Sequence, residues 1–476
     1  MFVFLGRIVG LGLNMVTIVV LARAWSEEMF GIFSYALVLV GFFSLLPDFG
    51  MQPVLIREMA RCRSRAGDVV GLGILSKLGL SLLSLALASG TMLLFFPDPR
   101  MRITFAWLSL TMFLSAKVNT MRVVLEGVFY ADMDMGLPVI FQLVDGVLQV
   151  ALVVVLVGLG ATPAQVIAGY ALSSLPGLIL TIAFVWQRVR PSFRLDVAAL
   201  KWLLGESFPL FLYLGLTMLH ERMDVLFLNS LWGEGAVGVY STAFRFTAPL
   251  GIVPFAVATA LYPVMAKAAN AEDARLGVAF RMGVKVLLVV GLALGVVGTI
   301  LGRPVFLMLF GERFSEAALP FQLLLWSQCF TFLAFFIVDF NNSQNRQGRN
   351  TLFMLCMVGA ALPVQWLLIS RLGVPGAGWA KLLLSALGLA VLCAFSWKGF
   401  TRQQARVALF AALALTGFVV VALVHLRHLL PTVLSGGLLM LLFCVSLHRV
   451  FSPEEKELLR QAVRTAVPGS LPAPLA

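Results

Sequence analysis

Apolar residues fall in blocks of roughly 20 along almost the whole chain, separated by short polar stretches in which Arg and Lys recur. A helix needs about 20 mostly apolar residues to cross the hydrocarbon core of a bilayer. The blocks predict spans over residues 4–24, 30–47, 69–95, 103–124, 136–159, 164–187, 207–232, 236–264, 283–309, 318–340, 350–370, 374–397, 406–424 and 430–448. No loop between them is long enough to hold a folded extramembrane domain. The reading is an all-α polytopic membrane protein with about 14 transmembrane helices, or 12 if the last pair does not cross.

Orientation follows from the cations. With the N-terminus inside, the cytoplasmic loops, counted with the adjoining span ends, hold 22 Lys and Arg and the outer loops hold 7, while 6 of the 35 fall within spans. That bias places both termini in the cytoplasm. Two further segments have the pattern of helices on the inner surface. Residues 192–207, SFRLDVAALKWLLGES, carry separate basic and apolar faces. Residues 452–467 open with Ser452, Pro453 and Glu455, a helix-start signature. Ala22 and Ala24 loosely fit a signal-cleavage site, but the repeat described below makes the first block a permanent span.

Composition agrees. Hydrophobic residues make up 60% of the 476 and charged residues only 12%, against about 25% in soluble domains. The net charge of +12 lies in short loops between apolar blocks, which is an orientation signal and not a nucleic-acid groove. The five cysteines contain no CxxC; Cys329, Cys356, Cys393 and Cys444 sit in apolar segments and Cys62 in a basic loop, so free thiols are expected.

The chain repeats itself. WSEEMFGIFSYA (25–36) aligns with WGEGAVGVYSTA (232–243) at an offset of 207, matching Trp25/Trp232, Glu27/Glu234, Gly31/Gly238, Ser34/Ser241 and Ala36/Ala243; Pro47 and Pro254 share the offset. The offset spans six helices, so both copies enter the membrane in the same direction. Their pseudo-twofold axis then runs along the membrane normal, a plan in which transporters bind substrate near the midplane between two halves. The domain reading is an N-lobe at 1–190, an amphipathic linker at 191–206, a C-lobe at 207–400, an extra span pair at 401–450 and a cytoplasmic tail at 451–476.

Ionisable groups inside spans are costly and commonly functional or paired. HERMD (220–224) places His220, Glu221, Arg222 and Asp224 near the centre of span seven. His220 and Asp224 share a face, as do Glu221 and Asp224. Two roles stand open: an internal ion pair involving Arg222, or the wall of a hydrated cavity. A zinc site of the HExxH type lacks a third ligand, since His425, His428 and His448 lie at distant span ends. Arg7, Lys77, Lys117, Arg245 and Lys381 are further basic residues within spans. Asp145 is acidic, and Arg122 and Glu126 lie at the inner end of span four. Arg7 and Lys77 are near enough to the inner face to snorkel. The basic excess suits an anionic substrate such as a pyrophosphate head group, which Arg grips with a planar fork. Gly and Pro within spans, Pro249 and Pro254 above all, mark candidate bends.

LARAWSEEMFGIFSYALVLVGFFSLLPDFGMQPVLIREMAR (21–61) resembles the opening of bacterial polysaccharide transporters, the Wzx-like oligosaccharide or O-antigen flippases. RMDVLFLNSLWGEGAVGVYSTAFRFTAPLGIVPFAVATALYPVMAK (222–267) resembles the start of their second lobe. The resemblance implies a V-shaped bundle of two six-helix lobes within the multidrug/oligosaccharidyl-lipid/polysaccharide exporter superfamily. It implies transport of an undecaprenyl-pyrophosphate-linked oligosaccharide from the inner to the outer leaflet of the bacterial cytoplasmic membrane, in lipopolysaccharide or polysaccharide biosynthesis. Other polysaccharide-export proteins are implied as partners. Alternating access would be driven by a Na⁺ or H⁺ gradient or by the membrane potential, with no other cofactor. The YxxAxR pattern falls on Tyr240, Ala243 and Arg245, and R-x-D on Arg222 and Asp224. The substrate-cavity candidates are then Arg222, Arg245, Lys117, Arg122, Lys381, Arg7 and Lys77. The coupling or ion-pair candidates are Asp224, Glu221, His220 and Asp145. A drug/cation antiporter of the same fold predicts an acidic cavity instead, and a lipid II flippase shares the cationic logic. A membrane enzyme needs a sizeable outer loop, which is missing, and no phosphate-binding loop for ATP is present.

Overall fold

The computed structural model describes residues 2–116, 121–194, 196–270, 275–344, 347–396 and 404. Among these residues every regular element is a helix. The expected spans at 406–424 and 430–448, the helix at 452–467 and the tail lie outside the described residues. The chain divides into two compact units, residues 2–241 and the residues from Thr242 onward.

The first unit holds α1 (Phe2–Ala24), α2 (Glu27–Asp48), α3 (Met51–Arg61), α4 (Ala66–Phe95), α5 (Pro99–Ser109), α6 (Thr111–Leu114), α7 (Met121–Ala131), α8 (Gly136–Gly158), α9 (Pro163–Leu172) and α10 (Leu175–Arg188), and most of α11 (Val197–Thr247). The second holds the end of α11, then α12 (Ile252–Asn270), α13 (Arg275–Phe310), α14 (Ala318–Ser343), α15 (Gln347–Leu372) and α16 (Val374–Ser396).

Ten helical stretches among the described residues are long and apolar enough to cross a membrane. One of them, Val197–Ala268, has 72 residues. At 1.5 Å per residue that is about 108 Å, more than twice the core thickness of about 30 Å. It breaks at Gly233 (φ 77°) and therefore holds two crossings. The ten stretches account for eleven of the first twelve predicted spans; the fourth, at 103–124, includes residues 117–120, which lie outside the described residues. The all-α polytopic reading holds.

Local chemistry sets the breaks. Ser26 caps α2 by accepting the Met29 N–H at 3.2 Å, and Glu27 and Glu28 follow in the first turn, where the helix dipole favours them. Phe49 (φ 44°) and Gly50 (φ 67°) are both left-handed and end α2; the Phe49 ring stacks on Phe211 at 4.6 Å, which holds this residue in a conformation a non-glycine rarely adopts. Predicted span four is interrupted. Between Ser109 and Ser115 the hydroxyls of Ser109 and Thr111 donate to the carbonyls of Ala106 and Leu108, competing with the helix ladder. Predicted span six is divided at Ser173–Ser174, where Pro176 cannot donate a backbone hydrogen bond to Leu172. Pro249 likewise tightens Ala248–Gly251 into a 3₁₀ turn, so the bend expected in span eight lies there.

The segment 192–207 is not a separate surface helix. Ser192 N–H donates to Gly67 O at 3.0 Å, Asp196 accepts the N–H groups of Ala198 and Ala199, and the helix that starts at Val197 continues into span seven. Pro191 keeps the preceding residues out of the helix, and nothing after Val197 stops it before Gly233.

The repeat meets itself inside the first unit. A Cβ on Gly31 would lie 1.7 Å from the carbonyl oxygen of Glu234, and a Cβ on Gly238 would lie 2.0 Å from that of Glu27. Glu27/Glu234 and Gly31/Gly238 are the repeat pairs. Residue i touches the partner of j while j touches the partner of i, which is the contact pattern of a twofold axis. The breaks match as well, Ser26 before α2 and Gly233 at the same offset.

In the second unit, α13 presents Gly283, Gly291, Gly295, Gly298 and Gly302 to α14, where Phe336, Cys329, Trp326, Leu325 and Gln322 fill the space that side chains would need. Close packing of this kind replaces the hydrophobic effect as the source of helix association in lipid. Trp326 donates to Thr299 Oγ1 at 2.9 Å across the same interface.

The crossing is testable. Gly31→Ala and Gly238→Ala should each destabilise the purified protein by about 1–3 kcal/mol or more, because backbone rather than a yielding side chain occupies the site. Gly12→Ala, in α1 with nothing within 4 Å of a new Cβ, should be neutral or stabilising by up to about 1 kcal/mol. Thermal unfolding in detergent measures all three, and equal midpoints would refute the tight crossing.

Candidate functional site

The charged residues within spans separate into three groups. The first is a buried ion-pair cluster on α7 and α8. Arg122 Nε donates to Glu126 Oε1 at 3.0 Å, one helical turn on, and Arg122 Nη1 donates to Asp145 Oδ2. Gln142 donates to the other oxygen of Glu126 at 3.0 Å, and the Gly177 N–H at the start of α10 donates to the other oxygen of Asp145 at 2.9 Å. All four carboxylate oxygens accept a hydrogen bond. The side chains of Arg122, Glu126 and Asp145 are 0%, 2% and 6% exposed, and Arg122 Nη2 has no partner among the described residues.

Lys77 behaves in the same way. Its ammonium is fully buried on α4 and lies 3.5 Å from Asp48 at the end of α2. It does not snorkel, because the αL break at Phe49–Gly50 ends α2 where Asp48 faces α4. Lys77 and Arg122, expected to line a cavity, are enclosed in ion pairs within the first unit in this structure. Asp145 takes the ion-pair role of its two expected alternatives. Burying such charges singly costs several kcal/mol, and pairing with hydrogen-bonded carboxylates offsets much of that cost.

The second group surrounds HERMD on α11. Asp224 is fully buried and accepts the Tyr240 hydroxyl at 2.6 Å, beyond the Gly233 break. It also accepts the Val225 N–H at 2.8 Å. Arg222 and His220 are partly exposed and Glu221 is exposed. The four charges therefore span the circumference of the helix, and one of them, Asp224, is the buried anchor. Tyr240, the first residue of the YxxAxR pattern, closes that anchor. Among the described residues no three His, Cys, Asp or Glu are placed to hold a metal, and His425, His428 and His448 lie outside the described residues.

The third group retains surface. Arg7 is exposed on α1, while Arg245 and Lys381 are half-buried in the second unit, where the Lys381 ammonium lies 5.9 Å from the Phe244 ring centroid. Lys117 lies outside the described residues. Cys62, Cys329, Cys356 and Cys393 are free thiols, as expected, and Cys444 is outside the described residues.

Sequence reasoning missed Asp48, Gln142 and the Gly177 N–H. The Arg122/Glu126 pair had a visible signal in its i,i+4 spacing. The others are brought in by tertiary packing between helices far apart in sequence, for which a single chain carries no marker.

Arg122→Met should leave two buried carboxylates without a countercharge and cost about 3–5 kcal/mol. Asp145→Asn keeps one full ion pair and should cost less, about 1–3 kcal/mol. Thermal unfolding in detergent ranks them; an Arg122→Met protein as stable as wild type would show that the cluster is not a structural pair.

The comparisons with known proteins agree with this architecture. The model of a family described as polysaccharide biosynthesis protein matches residues 1–269, more than half of the chain, and the MatE model matches residues 209–367. No curated protein matches the chain by sequence. Among solved structures, the lipid II flippase MurJ in its inward closed conformation is similar with a TM-score of 0.68 at 15% identity, over 94% of this chain and 98% of that one. A multidrug resistance MATE family transporter, inward-facing, gives a TM-score of 0.61 at 16% identity over 85% and 95%. A transporter of the MOP superfamily from Pyrococcus furiosus gives 0.57 at 17% over 84% and 95%. By name all three are flippases or transporters rather than enzymes, and at these identities the likeness is one of fold. With its ten described membrane-length helical stretches, its internal repeat and the family match over residues 1–269, the chain belongs to the polysaccharide biosynthesis protein family and has the fold of the MOP superfamily of membrane transporters.

Proposed function

We propose that the protein is a flippase that moves an undecaprenyl-pyrophosphate-linked oligosaccharide from the inner to the outer leaflet of a bacterial cytoplasmic membrane. The observation that carries the reading is the family match over residues 1–269. The chemistry supports it. A glycolipid of this kind has a sugar and pyrophosphate that need a polar route, while its polyprenyl tail stays in the bilayer. Once Lys77 and Arg122 are set aside as structural pairs, the cations that keep surface are Arg7, Arg222, Arg245 and Lys381. Arg222 and Arg245 offer planar forks suited to phosphate oxygens. In this reading each is a candidate contact for the head group, as is Lys117.

Alternating access is the mechanism, with a Na⁺ or H⁺ gradient or the membrane potential as the driving force. Asp224 takes a hydrogen bond from Tyr240 that fixes the helix on both sides of Gly233. His220 and Glu221, within four residues of Asp224 in sequence, are the candidates to exchange a proton during the cycle. Both termini lie in the cytoplasm in this orientation.

Lipid II transport is the second reading, favoured by the extent of the likeness to the MurJ fold. One experiment separates the readings. In a deletion strain, polyprenyl-pyrophosphate-linked sugars are extracted and their leaflet distribution is measured. The expected result is cytoplasmic accumulation of the oligosaccharide intermediate, relieved by the wild-type gene. Arg222→Ala should insert normally and lower transport by roughly tenfold to a hundredfold, the loss of one charge-assisted hydrogen-bond pair. Accumulation of lipid II alone would select the second reading. An unchanged distribution of both lipids would point to a drug/cation antiporter.

A further inference from the structure

One end of the first unit gathers the segments after α3, after α7 and after α10, and its cations are of two kinds. Arg57 is bonded to Glu206 at 3.0 Å, Arg63 to Asp132 at 2.7 Å, and Arg188 to Asp134 at 2.6 Å. These pairs tie the segments together. Arg65, Arg190, Arg194 and Lys201 are all exposed and have no carboxylate partner among the described residues. The two acids nearest in sequence do not neutralise them. Asp68 lies in the first turn of α4, and Asp196 is taken up in capping α11.

The backbone that carries Arg65 and Arg190 is held in place. Ser192 N–H donates to Gly67 O, and a Cβ on Gly67 would lie 2.5 Å from Arg190 O, so the backbone beside Arg65 rests on the backbone of Arg190. A Cβ on Gly71 would lie 1.9 Å from Ser192 O, which extends the contact by a helical turn. The strand-like segment from Arg190 to Ser192 is therefore clamped to the start of α4. Beside it the apolar residues turn outward: Phe193 is 53% exposed, Val197 55% and Trp202 45%. Aromatic residues at this density beside basic ones mark the boundary between head groups and acyl chains.

We infer that the face carrying Arg65, Arg190, Arg194 and Lys201 binds the phosphate head groups of anionic phospholipids, with Phe193 and Trp202 seated at the acyl boundary. Orientation bias alone calls for positive charge at this end. It does not call for four cations left without carboxylates, two of them on clamped backbone, while their neighbours are paired. The free set supplies phosphate oxygens with three guanidinium forks and one ammonium, and the net charge of the four with Asp68 and Asp196 remains positive. Juxtamembrane clusters of this size attract anionic lipid, each cation contributing a factor of roughly five. The inference concerns the lipid environment and holds whatever molecule is transported.

The test uses the full chain in nanodiscs containing equal amounts of phosphatidylglycerol and phosphatidylcholine, with retained lipids counted by native mass spectrometry. Wild type should retain phosphatidylglycerol over phosphatidylcholine. The Arg65→Gln/Arg190→Gln/Arg194→Gln variant should lose at least roughly fivefold of that preference while remaining monodisperse. Arg57→Gln, which removes a paired cation, should keep it. Equal retention of the two lipids by wild type, or an undiminished preference in the triple variant, would overturn the inference. So would displacement of phosphatidylglycerol by millimolar inorganic phosphate, which would assign the cations to a soluble anion. Because the readout is bound lipid, a failure here leaves the transport reading standing, and a failure of transport leaves this one.

Discussion

Where Gly31 passes Gly238, two helices meet backbone to backbone, and the first unit is organised around that approach. In a bilayer, apolar side chains gain nothing by leaving lipid for one another, so association depends on how closely surfaces fit. A side chain at either position would collide with a carbonyl. The fit is reciprocal, with each copy of the WxExxxG pattern offering its glycine to the carbonyl of the other copy's glutamate. A local sequence feature has thereby become a symmetry element. The Ser26 cap and the Gly233 break then set where each helix begins, and so where along the crossing the glycines fall.

Charge inside the bundle obeys the complementary constraint. A guanidinium or ammonium removed from water needs a countercharge and a full set of hydrogen bonds. Arg122 and Lys77 obtain carboxylates from other helices, and the carboxylates in turn take Gln142 and the Gly177 N–H. These groups hold α2 to α4 and α7 to α8 and α10. The cations that retain surface are a smaller set than the sequence suggested. Removing the structural pairs from the set sharpens the functional question to Arg7, Arg222, Arg245 and Lys381.

Much of this architecture was legible in the sequence, and the reasons for the remainder are physical. Span positions follow from a length requirement that the bilayer imposes, so α4, α8 and α13 through α16 lie where apolar blocks predict them. The glycine crossing was visible as a repeat, although nothing in one sequence said that the copies touch. Breaks were harder. Phe49 in a left-handed conformation carries no local signal, because its stability comes from stacking on Phe211, far along the chain. The interruption of span four rests on hydroxyl-to-carbonyl bonds that serine and threonine make in many unbroken membrane helices. Segment 192–207 has an amphipathic pattern, which specifies a face but not an end; only the clamp at Gly67 shows that the helix starts at Val197. For the HERMD cluster, periodicity placed His220 and Asp224 on one face, while burial assigned them different tasks.

The comparison of the two repeat copies shows what their differences accomplish. At the offset of 207, the packing residues coincide: Trp25 with Trp232, Gly31 with Gly238, Ser34 with Ser241. Apart from Glu27 and Glu234, the polar and charged residues around Arg222 do not. Arg222 corresponds to Met15, Asp224 to Thr17, Tyr240 to Phe33 and Arg245 to Val38. Asp224 takes its hydrogen bond from Tyr240, whereas Thr17 donates to Leu13 O and accepts from Gln149, and Phe33 packs edge-on against Trp25 and Tyr170. A hydrogen-bonded acid in one copy is thus replaced by a hydroxyl and an aromatic contact in the other, at the same place relative to the shared crossing. The crossing needs symmetry, because each glycine must meet the other's carbonyl. The hydrogen bond between Tyr240 and Asp224 has no such requirement, and it occurs in one copy alone. The scaffold is twofold and the polar substitutions are one-sided: the repeat marks the shared packing, and the departures from it mark where the two copies differ in chemistry.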